Sequence, residues 1–334
     1  MNYIYALFMY QLTKPRKLNN MKVETVTISL TNQCNYRCPH CSVNGGEKCS
    51  DELNLNEIEN LLNQLKKIGV KKIELSGGEP LLRKDIFEIV SLAKRLHFQV
   101  KILTNGSLLS KEKIDLLKKM GLDGLGISLD GATYEVYKYL RPVTENSFKR
   151  VLRNIRIASL SGMFTKINTV GVNANLNDIQ NIINLCEKYQ VQECRICYLS
   201  KRGRGKKLNG EVEPLLWLKT LKKLRVKTTK LYLGVPYAKF HGRCLLKERI
   251  PLFITSNGYV YSCLLQEKAV GNIRQNIIKN LIKKIKLKSC LPLKKYYDLN
   301  PICPLRKISI NKLNENKNFL SKIKKWAILN PSHL

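Results

Sequence analysis

What this chain of 334 residues lacks narrows it first. No run approaches the roughly 20 consecutive apolar residues of a membrane-crossing helix. The opening stretch Met1-Asn-Tyr-Ile-Tyr-Ala-Leu-Phe-Met-Tyr10 is apolar but short, with no basic start and no cleavage site, so it does not read as an export signal. Without export, 11 cysteines point to a reducing compartment and metal ligation instead of disulfides, and a cytoplasmic protein is expected. Acidic side chains are scarce: 25 Asp and Glu stand against 59 Lys and Arg, a net charge of +34. Such a surplus suits an anionic partner such as RNA or an acidic peptide. The lysines are spread over nearly every predicted helix, which fits a Lys-, Asn- and Ile-rich composition better than a nucleic-acid face. Nucleic acid stays open as a partner without being favoured, and nothing resembling an appended RNA-binding module is present. Met21, just before the first predicted strand, is expected as an alternative start to Met1.

What is there begins with a rhythm. Candidate strands at 25–30, 70–75, 98–103, 123–129, 164–170 and 193–198 alternate with amphipathic helices. Ile58, Leu61, Leu62 and Leu65 form one helical face, closed by Gly69. Ile86, Ile89, Val90 and Ala93 form a second, and Ile179, Ile182, Ile183 and Cys186 a third. Strands alternating with helices imply parallel strands with crossovers, and six such units fit an α/β fold, a partial (β/α)6 TIM-like barrel.

Chemistry collects where the strands end. The first is followed by Cys34-Asn-Tyr-Arg-Cys38-Pro-His-Cys41, and a loop this tight can turn three thiolates onto one metal centre. Four thiolates would close an iron–sulfur cluster; three leave one iron open to a substrate. Zinc with His40 as fourth ligand is the alternative, and a disulfide would leave one cysteine unexplained. The second strand runs into Ser76-Gly-Gly-Glu-Pro80, whose glycines admit a close ligand and whose Glu79 offers a carboxylate to an ammonium group. Thr104-Asn-Gly106, Ser128-Leu-Asp-Gly131, Asn173 with Asn175, and Arg202-Gly-Arg-Gly205 follow strands three to six. In α/β barrels that end of the strands carries the ligands.

The cysteine loop followed by Ser76–Pro80 resembles the radical S-adenosylmethionine (SAM) superfamily. The resemblance covers about residues 24–205 well and implies a 4Fe–4S cluster on Cys34, Cys38 and Cys41. Its open iron would chelate the methionine moiety of SAM, with Ser76, Gly77, Gly78, Glu79 and Pro80 helping to hold the amino group. By the same resemblance Thr104, Asn105, Ser128 and Asp130 are candidates for ribose or sulfonium contacts. Asn173 and Arg204 join this cofactor-binding set, and backbone around His40 is placed near the adenine, with the His40 side chain read as packing. Cys49, in the loop after the cluster, is a candidate hydrogen-atom donor; no other catalytic side chain is assigned.

Farther on, Pro251–Ser256 and Tyr259–Ser262 flank Asn257-Gly258, a predicted β-hairpin with a type I′ turn. Cys244, this hairpin, Cys263, Gly271-Asn-Ile273, a basic helix, then Cys290 and Cys303 resemble the SPASM/twitch extensions of that superfamily. The denser closing cysteine run of a full SPASM domain is missing, so one auxiliary 4Fe–4S cluster on Cys244, Cys263, Cys290 and Cys303 is expected. The alternative is ordinary thiols in a decayed domain. The division expected is an N-terminal extension (1–22), a core barrel (23–228), a small α+β twitch/SPASM-like domain (229–310) and a basic tail (311–334). Cys194 and Cys197, three apart on a strand, point to opposite faces and are not expected to share a metal.

The resemblance implies reductive cleavage of SAM to a 5′-deoxyadenosyl radical that abstracts a substrate hydrogen. A low-potential donor such as flavodoxin or ferredoxin would supply the electron. Peptide or protein modification is the first expectation for the substrate, though only about twenty residues precede the barrel, too few for a fused leader-recognition domain of the usual size. Cofactor or haem biosynthesis, RNA modification and a non-catalytic iron–sulfur scaffold are the alternatives. The intact Ser76–Pro80 segment argues against the scaffold.

Overall fold

In the computed structural model, residues 23–234, 252–262, 268–287 and 307–309 are described. Cys244, Cys263, Cys290 and Cys303 lie outside them, as do the N-terminal extension and the basic tail.

The first half alternates as expected: β1 (Thr25–Ser29), α1 (Leu55–Lys67), β2 (Lys72–Ser76), α2 (Ile86–Arg95), β3 (Gln99–Thr104) and α3 (Lys111–Lys119). Then come β4 (Gly124–Ser128), α4 (Tyr134–Leu140), α5 (Glu145–Leu160), β5 (Thr165–Gly171), α6 (Ile179–Lys188) and β6 (Glu193–Tyr198). Local signals set these boundaries. Asn54 caps α1 in a reciprocal capping box with Glu57, and Ser110 and Thr144 cap α3 and α5 through their side chains.

Two features extend the barrel beyond six units. α7 (Pro214–Lys223) leads into β7 (Lys230–Gly234), which pairs in parallel with β6. Leu231 and Leu233 of β7 are buried, and Trp217 of α7 is fully buried with its ring edge-on to Tyr198 at 5.4 Å. The segment assigned by sequence to a separate C-terminal domain thus contributes strands to the same sheet. β8 (Leu252–Ile254) pairs in parallel with β1, and β9 (Tyr259–Tyr261) and β10 (Gly271–Asn272) continue antiparallel from it. β11 (Lys307–Ser309) lies antiparallel on β7. The strand order is β10-β9-β8-β1-β2-β3-β4-β5-β6-β7-β11. Seven parallel strands in chain order are the winding of a barrel.

The hairpin forms, with a different turn. Gly258 N–H donates to Thr255 O at 2.9 Å and Gly258 has φ +84°, while Asn257 is not left-handed. That is a type I turn closed by a left-handed glycine; a type I′ turn needs positive φ at both central residues. α8 (Ile278–Leu287) then packs near α1, where Arg274 forks onto Glu57 at 2.6 and 3.1 Å.

The core lies between sheet and helices. Ile28, Leu75, Ile102, Ile127, Ile167 and Ile196 alternate toward the predicted apolar faces of the helices and are buried. The other strand face is concave. Lys166 Nζ of β5 lies 3.5 Å from Glu74 Oε1 of β2, with β3 and β4 between them in the sheet, so the sheet curls far enough for interior side chains to meet.

Candidate functional site

The site is a loop held by the ends of its neighbours. Residues 30–46 carry the three cysteines, and each sulfur is met by an N–H donor. Tyr36 N–H lies 3.4 Å from Cys34 Sγ, Gly45 N–H 3.3 Å from Cys41 Sγ, and Arg141 Nη1 3.7 Å from Cys38 Sγ. Burial pushes the Cys38 thiol up to about 11, against the pull of the Arg141 guanidinium.

Strand two contributes backbone. Gly78 N–H donates to Thr31 O at 2.8 Å and Glu79 N–H to Gln33 O at 2.7 Å, zipping Ser76–Pro80 against the cysteine loop. The glycines are required: Gly77 has φ +142°, and a Cβ on Gly78 would drive into the Asn32 and Gln33 carbonyls. Pro80 opens a short 3₁₀ turn and is buried.

Glu79 does something other than the sequence suggests. It has no exposed surface, and three donors already occupy its carboxylate: Thr104 Oγ1 and Asn105 N–H at 2.7 Å each and Leu81 N–H at 3.1 Å. Burial pushes its carboxyl up and these donors oppose that. Its side chain joins the ends of β2 and β3. From β3, Asn105 Nδ2 donates to Asn35 Oδ1 at 2.9 Å, and Asn35 Nδ2 to Ser107 Oγ at 2.9 Å, a second tie to the cysteine loop.

Asp130 is likewise fully buried. Its carboxylate takes Arg141 Nε at 2.7 Å and Val170 N–H at 2.7 Å, and His40 Nε2 lies 3.2 Å away. Burial pushes its pKa up, but Arg141 and His40 outweigh it and hold the carboxyl well below the usual range. Asp130 therefore reaches the site through Arg141 and His40. His40 is more than packing: Nε2 is engaged by Asp130, and Nδ1 is buried with no hydrogen-bond partner among the described residues. Arg204 staples the loop from β6: Nε donates to Cys38 O at 2.8 Å, Nη1 to Gly45 O at 2.8 Å, and its N–H to Cys41 O at 3.0 Å.

Other predicted residues stand apart. Asn173 Nδ2 is taken by Glu211 O at 2.9 Å; Asn175 is the buried one, donating to Asp130 O and Val170 O. Ser76 and Ser128, both half-buried, end β2 and β4. Cys49 is tied by its N–H to Glu52, which also takes Thr31 Oγ1 and Asn32 N–H. Cys194 is buried and Cys197 half-buried on the alternate face of β6, as the strand period requires. Asn35, Glu52 and Arg141 were not singled out by sequence: Asn35 is a spacer within the cysteine motif, and Glu52 and Arg141 lie outside any motif and reach the loop only through the fold.

No three His, Cys, Asp or Glu side chains converge on a single-ion site among the described residues. Cys34, Cys38 and Cys41 are free thiols in one loop, the donor type that iron–sulfur clusters use. The Tyr36 and Tyr137 hydroxyls are buried, and each lies near the other and near the Arg141 guanidinium.

A profile of the Radical SAM superfamily matches residues 28–186. The chain is 29% identical over 237 residues to an AdoMet-dependent heme synthase of Methanosarcina barkeri, covering 69% of this chain and 67% of that one. It is 33% identical to a probable GTP 3′,8-cyclase of Methanocaldococcus jannaschii, over 49% of this chain and 55% of that one. The chain thus spans little more than half of the cyclase's length. In fold it is similar to Streptococcus suis SuiB bound to precursor peptide SuiA, with a TM-score of 0.65 at 16% identity, covering 84% of this chain and 70% of that one. At that identity the likeness bears on the fold alone.

Proposed function

We propose that this chain, which belongs to the radical SAM superfamily, is an enzyme of cofactor biosynthesis whose substrate is a small molecule, with a tetrapyrrole as the favoured class. The observation that carries the reading is the cysteine loop itself, held at once by the ends of β2, β3, β4 and β6 beside a curated family of synthases and cyclases. The expectation from sequence put peptide modification first. The curated relatives support the cofactor alternative better, because the peptide-bound neighbour shares only 16% identity. Relatives named as synthases and cyclases also speak for an enzyme over an electron-transfer scaffold.

Cys34, Cys38 and Cys41 hold the 4Fe–4S cluster in this reading, and the backbone of Ser76–Glu79 lines the SAM amino group. Arg141 uses Nε on Asp130 and Nη1 toward Cys38, and its guanidinium would offer positive charge to the SAM carboxylate. When bound, cluster and SAM together supply reductive carbon–sulfur cleavage and a 5′-deoxyadenosyl radical. The chain's own work is to orient: Arg204 fixes the loop carbonyls, Glu79 sets the β3 loop against it, and Asp130 aims Arg141 and His40. A low-potential donor such as flavodoxin or ferredoxin supplies the electron. Cys244, Cys263, Cys290 and Cys303 hold an auxiliary cluster in a twitch-like segment; a Cys34/Cys38/Cys41→Ala triple variant is expected to keep about four irons per chain after anaerobic reconstitution, and none would remove that cluster.

The test of substrate is 5′-deoxyadenosine formed from SAM by the reduced, reconstituted protein. An iron porphyrin bearing carboxylate side chains is expected to raise it above the substrate-free rate. Stimulation by peptides alone would return the enzyme to peptide modification.

A further inference from the structure

The concave face of the barrel is charged. Strand alternation places Glu74 on β2, Lys101 on β3, Lys166 on β5, and Glu193 and Arg195 on β6 opposite the apolar residues that meet the helices. The Lys166–Glu74 approach at 3.5 Å shows that these charges share one interior. Lys101, Lys166 and Arg195 are the half-buried or buried cations among these, and Glu74 and Glu193 the carboxylates. Lys166 meets Glu74, and Lys101 Nζ lies 3.7 Å from the centroid of the Phe164 ring. Arg195 forms no ion pair among the described residues; its side chain hydrogen-bonds to Cys197, and Glu74 and Glu193 are its nearby carboxylates.

Arg195 also stands in a polar row. Register aligns Ser128 with Asn168, Asn168 with Arg195, and Arg195 with Tyr232 across β4 to β7, and all four are half-buried. Ser128 is the last residue of β4, so the row lies just beneath the mouth where the cysteine loop sits. A guanidinium in an enclosed interior calls for an anionic partner, and its planar fork matches a carboxylate or phosphate with two parallel hydrogen bonds. Asn168 and Tyr232 supply further polar groups at either side.

We propose that Arg195, flanked by Asn168 and Tyr232, is the specificity-determining anchor for an anionic oxygen group of the substrate, a carboxylate or a phosphate, below the SAM site. This rests on the reading of the barrel mouth as the reaction site. It selects small anions over neutral or cationic substrates, and it fixes which end of the substrate points down the barrel.

Equilibrium dialysis on the reconstituted full chain tests it, with coproporphyrin III as the carboxylate probe and GTP as the phosphate probe. One probe is expected to bind the wild type and to be displaced by sulfate; which one binds tells carboxylate from phosphate. Arg195→Gln is expected to weaken that probe roughly tenfold to hundredfold, Arg195→Lys less, with SAM affinity unchanged in both. Equal probe binding in the Gln variant and the wild type would overturn the proposal, as would binding of neither probe or indifference to sulfate, which needs no variant. Failure of the superfamily chemistry would show separately, as absence of 5′-deoxyadenosine.

Discussion

Glu79 is a carboxylate without solvent, and it persists because three donors converge on it. An unpartnered buried carboxylate would be far too costly, so the donors and the acid are one unit. Glu79→Gln makes the point testable. Its amide would turn an N–H toward either the Thr104 hydroxyl or the Asn105 N–H, leaving a donor unmatched, at a cost of about 1–3 kcal/mol. The expected outcome is a lower melting temperature together with reduced iron after reconstitution, since Asn105 also holds Asn35 of the cysteine loop. Unchanged iron content would mean that the β2–β3 tie does not support the cluster. The motif was legible in sequence as Ser76–Pro80, but the role of its acid was not. Whether a carboxylate faces a ligand or the next loop depends on Thr104 and Asn105, some 25 residues away.

At the scale of elements, periodicity located six strands and the three apolar helix faces, because each buries a regular stripe. It missed β7. Leu231 and Leu233 alternate correctly, but five residues in a lysine-rich setting carry little signal, and the preceding helix owes its place to Trp217. Trp217 is fully buried against Tyr198 of β6, so truncating it removes the main contact between the seventh unit and the barrel. Trp217→Ala is expected to lower unfolding stability by about 3–5 kcal/mol, read by denaturant titration. A loss under about 1 kcal/mol would show that β7 is held by its pairing with β6 alone. Arg204 is a parallel case. Its Gly-Arg-Gly setting was visible after strand six, but its three bonds to the cysteine-loop backbone follow only from barrel closure.

For the whole molecule, the winding order puts the C-terminal ends of β1 to β7 at one rim, and the cysteine loop is met from the ends of β2, β3, β4 and β6. A single-stranded attachment would let the loop fray; four ties hold its sulfurs while one face stays open. No helix among the described residues is long and apolar enough to cross a membrane. Of the net charge of +34, Lys101, Lys166 and Arg195 lie on the inner face of the barrel, and among the described residues more lysines sit on helices than elsewhere. The account stands on the claim that Cys34, Cys38 and Cys41 together support cleavage of SAM. Its most direct measurement is 5′-deoxyadenosine released from SAM by reduced, anaerobically reconstituted protein, wild type beside Cys34→Ala. The wild type is expected to form it and the variant to form none; formation by the variant, or none by an iron-loaded wild type, would contradict the account.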